Sequence, residues 1–189
     1  VEFIRINHSV PDAVSIALKT PAGVVVDTGD FKIDTTPISG EMIDLTRFGE
    51  LGRQGVLLLM ADSTNAERPG FAMSEQKVGR ALEAQFKGTD KRILVATFAS
   101  NVHRVQQIIN TAAKFGRKVA VSGRSLDNIV KVTTELGYMD IPPGLLIDIN
   151  MVRKYPDDQL CIITTGSQGE PMSALYRMAY GSHRQVEVG

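Results

Sequence analysis

The sequence predicts an α/β protein in two parts: a short antiparallel β region, then an open, mostly parallel α/β sheet. Residues 1 to 36 hold three short β-rich runs separated by turns, with no amphipathic helix among them. From Val56 onward, apolar runs of strand length with little alternation take turns with helical patterns. That is the mark of parallel strands buried on both faces and joined by crossovers. Small and polar residues follow each of these later runs, where open parallel sheets bind their ligands.

In the first part, Phe3 to Ile6, Val14 to Leu18 and Val24 to Val26 read as strands, with a hairpin turn at Pro21-Ala22-Gly23. Residues 35 to 55 are rich in glycine and read as a connector with a short helix around Met42 to Leu51. Val56 to Met60 is the first apolar run of the second part. A helix from Ser74 to Phe86 follows, capped by Ser74, with Val78, Leu82 and Phe86 on one face. Arg92 to Thr97 is the next strand. The helix from Val102 to Phe115 turns Val105, Ile108, Ile109 and Ala112 to one side and stops at Gly116. Lys118 to Val121 is the third strand and Ser125 to Leu136 the third helix. Pro142-Pro143-Gly144 opens a poorly patterned stretch, after which Leu160 to Thr164 is the fourth strand and Ser173 to Ala179 begins a fourth helix.

With 189 residues, the chain can form one large domain or a domain plus part of another. Hydrophobic residues at 43% and charged residues at 22% are ordinary for a globular protein. No apolar run approaches the ~20 residues that span a bilayer, so no membrane partner is expected. The single cysteine, Cys161, lies in an apolar run and reads as core, which fits a reducing cytoplasm. Zero net charge argues against a generally basic nucleic-acid coat but leaves room for a local basic groove.

Two loops near the start each carry a potential metal ligand where a strand ends: His8 in Asn7 to Asp12, and Asp30 in Thr28 to Lys32. Imidazole and carboxylate are ordinary zinc ligands, and a catalytic zinc takes at least three protein ligands. Neither of the other two histidines, His103 and His183, sits in a ligand cluster, so the set is incomplete within this chain. Asp62 reads either as a turn former or as a carboxylate that orients a catalytic partner. His103, early in a helix, reads as a surface residue or an acid/base group, and His183 carries no assignment.

The loops after the four apolar runs collect the remaining polar chemistry: Asp62 to Asn65; Ser100 and Asn101; Ser122 to Ser125; and Thr165 to Glu170. Each is also what any strand-to-helix turn needs for capping. Together, with Arg104, Arg124 and Lys131 nearby, they suggest a phosphate-bearing ligand held near helix N-termini. Gly166-Ser167-Gln168-Gly169 lacks the ending of a Walker loop and is not a dinucleotide fingerprint.

Phe3 to Asp12 and Asp27 to Lys32 resemble the later metal-binding motifs of metallo-beta-lactamase-fold nucleases. Ala61 to Asn65 resembles the acidic motif that opens the beta-CASP domain inserted in that fold. Thr97 to Gln107, Ser122 to Ser125 and Gly166 to Pro171 are most similar to the bacterial ribonuclease J family. The match runs in order along essentially the whole chain.

The resemblance implies an enzyme with two zinc ions that hydrolyses RNA phosphodiesters internally and from the 5′ end. In that reading His8 ligates one zinc, Asp30 bridges both, and Asp62 bonds a histidine serving in acid/base chemistry. Ser100, Asn101, His103, Arg104, Ser122, Arg124 and Gly166, Ser167, Gln168 and Gly169 would hold RNA. Residues 1 to 47 would be a partial metallo-beta-lactamase domain and residues 48 to 189 a C-terminally incomplete beta-CASP domain. The family's His-rich signature would lie upstream of Val1, and its later histidines and 5′-nucleotide pocket downstream of Gly189. The chain alone is then expected to bind no stoichiometric zinc, to cleave nothing and to bind RNA feebly, while the whole enzyme is expected to be a cytoplasmic homo-oligomer. A competing reading, a complete Rossmann-like module for a nucleotide or phosphate, rests on the second region alone and leaves the first 36 residues without a role.

Overall fold

The hairpin expected at Pro21-Ala22-Gly23 is present in the computed structural model, which describes residues 1–71 and 73–186. Residues 187–189, the end of the expected second domain, lie outside the described residues. The chain divides into two compact units, Val1–Lys77 and Val78–Gly189.

In the first unit β1 (Glu2–Arg5), β2 (Val14–Thr20) and β3 (Gly23–Asp27) form an antiparallel meander. The Thr20 hydroxyl closes the β2–β3 turn by accepting from the Ala22 N–H at 3.2 Å and donating to the Gly23 carbonyl at 2.9 Å. α1 (Leu45–Gln54) begins three residues later than expected, because Asp44 caps it by accepting from the Arg47 N–H at 2.9 Å. It ends at Gly55, whose φ of 93° suits only glycine. Alternation along the strands turns Ile4, Ala17 and Val26 to one face, where they bury with Leu51. Arg47 binds Glu2, whose carboxyl is held down at about 2 by that guanidinium, with help from Lys19.

The run at residues 56–60 does not open the parallel sheet, contrary to the sequence expectation. Its ordered part, β4 (Leu58–Met60), pairs parallel with β3 at the edge of the first sheet, in the order β1-β2-β3-β4. Leu57 to Met60 are all exposed in this chain, between 45% and 63%. A continuous apolar run signals a strand meant for burial on both faces, but its composition does not say which sheet it joins.

The second unit is the expected parallel sheet. β5 (Ile93–Ala96), β6 (Lys118–Ser122), β7 (Leu146–Ile147) and β8 (Leu160–Thr164) lie in the order β5-β8-β6-β7, all parallel. β7 has no counterpart in the sequence expectation, since two residues are too short to show a pattern. The stretch after it holds two 3-10 turns, Ile149–Lys154 and Asp157–Gln159. The helices are α2 (Glu75–Lys87), α3 (Val102–Lys114), α4 (Arg124–Glu135) and α5 (Ala174–Ala179), each within a residue or so of its expected span. α3 and α4 pack on β6, and α3 also on β8. Leu160, Ile162 and Ala120 bury with Val152, Ala174, Met178 and Val186. Every residue of β8 is buried, as a central parallel strand requires. Burial pushes the Cys161 thiol up to about 12, which makes it inert core. No helix among the described residues is long and apolar enough to cross a membrane.

Candidate functional site

His8, Asp30 and Asp62 meet in one cleft of the first unit, about 670 Å³ in volume and lined also by Lys32, Thr64 and Arg68. Backbone pairing brings them together. Lys32 donates its N–H to the Asn7 carbonyl at 2.7 Å, so the loops after β1 and β3 run side by side. Asn7 holds the connector by donating to the Glu41 carbonyl and accepting from the Ile43 N–H, both at 2.8 Å. Asp62 arrives from β4: its N–H donates to the Thr28 hydroxyl at 3.0 Å, and Thr28 in turn donates to the Gly29 carbonyl at 2.8 Å. The edge pairing of β4 therefore places Asp62 beside the two candidate ligands and not at the edge of the parallel sheet.

The imidazole Nε2 of His8 lies 3.9 Å from the Asp30 carboxylate. Two donors on one zinc at about 2.0–2.1 Å and a tetrahedral angle sit about 3.3 Å apart. The small closure needed is open to Asp30, whose side chain is 78% exposed. The pair fits two positions of a zinc shell. Among the described residues no group of three or more His, Cys, Asp or Glu side chains could hold a metal ion. The Asp62 carboxyl lies below the usual carboxylate range because the Thr64 N–H and hydroxyl bond to it, with His8 adding to the effect. Asp62 is thus both a turn former and an ionised group facing His8.

Lys32 has a structural task. Its ammonium donates to the Met73 carbonyl at 2.6 Å and pairs with Asp34 and Glu75 at 3.6 Å. Burial alone would raise the Asp34 carboxyl, but the N–H groups of Thr36 and Glu75, with Ser74 and Lys32, hold it below its ordinary value. Because Asp34 accepts from the Glu75 N–H, the start of α2 is capped by this loop as well as by Ser74.

In the second unit the loops after β5, β6 and β8 share one edge. The Thr97 N–H donates to the Thr164 carbonyl at 3.0 Å, and the Thr165 N–H to the Ser122 carbonyl at 3.4 Å. Ser100, Asn101, His103 and Arg104 follow β5; Ser122 and Arg124 follow β6; Gly166, Ser167, Gln168 and Gly169 follow β8. Asn101 caps α3, accepting from the Arg104 N–H at 3.0 Å. The loop after β8 meets much of its own bonding: Gln168 donates its N–H to the Glu170 carboxylate at 3.2 Å, and Gly169 to the Gly166 carbonyl at 3.0 Å. The N–H groups of Gly166 and Ser167 have no such partner among the described residues and stay open to a ligand. Gly166, at φ 110°, cannot carry a side chain, since a Cβ would meet Ser173 and come within 2.9 Å of Leu175.

His183 is the residue to which the sequence assigns no role and the structure does. It is buried, and its Nδ1 accepts from the N–H groups of Gln185 and Val186, at 3.3 and 3.2 Å. The proton is therefore on Nε2, which donates to the Ser122 hydroxyl at 3.0 Å. Burial, and then the charge of Arg177, pushes this imidazole below its ordinary 6.5. With the folded value below the unfolded one, stability is full above about pH 6.5 and falls as pH drops through that value. Urea denaturation at about pH 7.5 and about pH 5.5 checks this: His183→Gln should flatten the difference between the two. An unchanged difference would show that His183 does not carry it.

A family model for "Ribonuclease J, beta-CASP domain" matches residues 90–189, just over half of the chain. Among curated relatives, ribonuclease J of Synechocystis sp. is 48% identical over 188 residues, all of this chain and 29% of that protein. Ribonuclease J of Helicobacter pylori is 45% identical over 188 residues, covering 27% of its length. Ribonuclease J of Thermus thermophilus is 43% identical over 188 residues, covering 33%. The chain thus spans about a third or less of these relatives. A crystal structure of a protein of unknown function from Enterococcus faecalis superposes with a TM-score of 0.61 at 16% identity, covering 98% of this chain and 51% of that one. That likeness speaks to the fold alone. The ordered motifs, the parallel sheet and the family match agree: this chain belongs to the ribonuclease J family and carries its beta-CASP domain.

Proposed function

We propose that this chain works within a longer protein, of the length of its curated relatives, as part of a zinc-dependent ribonuclease. That enzyme would hydrolyse RNA phosphodiesters both internally and from the 5′ end, in cytoplasmic rRNA processing and mRNA degradation, and would assemble as a homo-oligomer. The observation that carries the reading is the meeting of His8, Asp30 and Asp62 in one cleft of a chain from this family. His8 and Asp30 would hold zinc, with further ligands from elsewhere in the longer protein. Zinc, when bound, supplies a Lewis acid that stabilises charge on the oxygens of an in-line displacement.

This chain's residues supply the rest. Asp62, ionised at neutral pH, keeps a carboxylate oxygen ready to orient a histidine that moves a proton. Arg68 offers a guanidinium to a phosphodiester at the cleft. Ser100, Asn101, His103, Arg104, Ser122, Arg124 and the loop from Gly166 to Gly169 would contact the RNA backbone. Residues 1 to about 47, extended by β4, would be a portion of the metallo-beta-lactamase fold, with most of the remainder the beta-CASP domain. Two zinc ligands leave the chain alone without activity.

A 5′-labelled single-stranded RNA tests the proposal. The longer protein should shorten it, chelation of zinc should stop the reaction, and this chain alone should leave the RNA intact. Intact RNA with the zinc-loaded longer protein would overturn the reading.

A further inference from the structure

β3 and β4 pair parallel as far as Asp27 and Met60, and the ladder runs one rung further, where the Thr28 N–H donates to the Met60 carbonyl at 2.9 Å. In a regular parallel pair the next rung would run from the Asp62 N–H to the Thr28 carbonyl. Here the Asp62 N–H donates to the Thr28 hydroxyl instead, at 3.0 Å. The Thr28 carbonyl is taken by the Ser15 hydroxyl, which donates to it at 2.6 Å. A side-chain oxygen thus carries the ladder on while the backbone of β3 turns away towards the cleft.

The same hydroxyl gives its own proton to the Gly29 carbonyl at 2.8 Å, so it both accepts and donates. That carbonyl belongs to the peptide leading into Asp30. One oxygen therefore ties down the backbone at both carboxylates of the cleft, which arrive from different strands. The Asp27 carboxylate steadies the same turn by accepting from the Gly29 N–H at 2.9 Å. The Asp62 carboxylate follows its backbone, because the Thr64 N–H donates to it at 2.9 Å. Thr28 is 8% exposed and Ser15 is fully buried, so water is a poor substitute for either hydroxyl. A β-branched residue suits the end of a strand in its own right, and valine would meet that need equally. Valine cannot supply the oxygen.

We propose that Thr28 is a positioning residue of the zinc site, its single hydroxyl fixing the separation of Asp30 and Asp62, an inference that rests on the proposed function. Ser15 keeps the Thr28 carbonyl occupied, which holds the rung on the hydroxyl. Groups that act together on one reacting centre must be kept within about 0.5 Å of their productive geometry. Without the hydroxyl the Asp62 backbone loses its tie to β3, and the peptide before Asp30 loses its donor.

Substitutions at Thr28 in the zinc-loaded longer protein test this, with a labelled single-stranded RNA as substrate and chelator competition as the measure of zinc affinity. Thr28→Val should lower kcat about 10–30-fold, leave KM within about twofold and weaken zinc about tenfold. Thr28→Ser should recover kcat and zinc affinity to within about threefold. Thr28→Ala and Thr28→Ser leave the same small void and differ only in the hydroxyl, so they should stand about tenfold apart on both measures. A merely structural threonine would change Tm and leave both measures alone. Thr28→Val within about twofold of the unaltered protein in kcat and zinc affinity, or Thr28→Ala equal to Thr28→Ser, would overturn the inference. His8→Ala separates the two ways of failing. If it is inactive beside a fully active Thr28→Val, this inference alone falls; if it is active, the reading of the site falls and takes the inference with it.

Discussion

His8→Ala in the longer protein should lower RNA hydrolysis by about 10³-fold or more, with little change in KM. Loss of one ligand from a catalytic zinc forfeits about 4 kcal/mol or more of transition-state stabilisation, and each 1.36 kcal/mol is about tenfold in rate. The KM expectation follows from the proposal that other residues, after β5, β6 and β8 in a different compact unit, would hold the RNA. Asp62→Asn should cost less, about 10–100-fold, since it removes an orienting charge while the asparagine keeps an oxygen for the Thr64 N–H. The order of the two variants is the informative part. Activity retained in His8→Ala would remove His8 from the site, and a larger loss in Asp62→Asn would make Asp62 the more central group.

The second large effect is on stability. Arg117, 3% exposed, donates to the carbonyls of Lys91, Asp157, Leu160 and Thr89, at 2.8, 3.3, 3.1 and 2.7 Å. It ties together the amino ends of β5 and β8, the edge opposite the candidate RNA loops. Its guanidinium also lies 5.9 Å from the centre of the Phe86 ring. Arg117→Ala strips four carbonyls of a charged donor and leaves a hollow beside Phe86. Hydrogen bonds to charged groups are worth about 1.5–3 kcal/mol each, but they share one side chain, so a total near 3 kcal/mol is expected. For a chain of this size that lowers Tm by about 6–12 °C. Arg117→Lys should recover only part, because an ammonium cannot reproduce the planar fork. A Tm within a degree or so of the unaltered chain would show that water replaces these bonds at no cost.

Helices with a clear apolar face were legible in the sequence: α3 shows its buried stripe at Val105, Ile108, Ile109 and Ala112, and α4 shows one at Leu126 and Val130. The strands were legible as strands. Their assignment to sheets was not, because β4 and β5 are alike in composition and only long-range pairing separates them. The placement of His8 and Asp30 in loops that follow β1 and β3 was legible, because each stands in a short motif at the end of a strand-like run. His183 was not, for its partner Ser122 is 61 residues away and the segment around it is polar. Arg117 stands next to the half-buried Lys118, whose ammonium reaches the Gly144 carbonyl at the surface, and sequence offers nothing to tell the fully buried cation from its neighbour. In the loop after β8, the self-bonding of Gln168 and Gly169 depends on the Glu170 carboxylate turning back on the loop, which residue types alone do not specify.

Whether His8 and Asp30 belong to a zinc site of a nuclease is tested most directly by an anomalous difference map at the zinc absorption edge, from crystals of the longer protein. A peak is expected about 2.0–2.1 Å from His8 Nε2 and about 2.0–2.2 Å from an Asp30 oxygen, with the Asp62 carboxylate close by. Zinc bound elsewhere in the protein, with His8 and Asp30 far from any metal, would contradict the assignment.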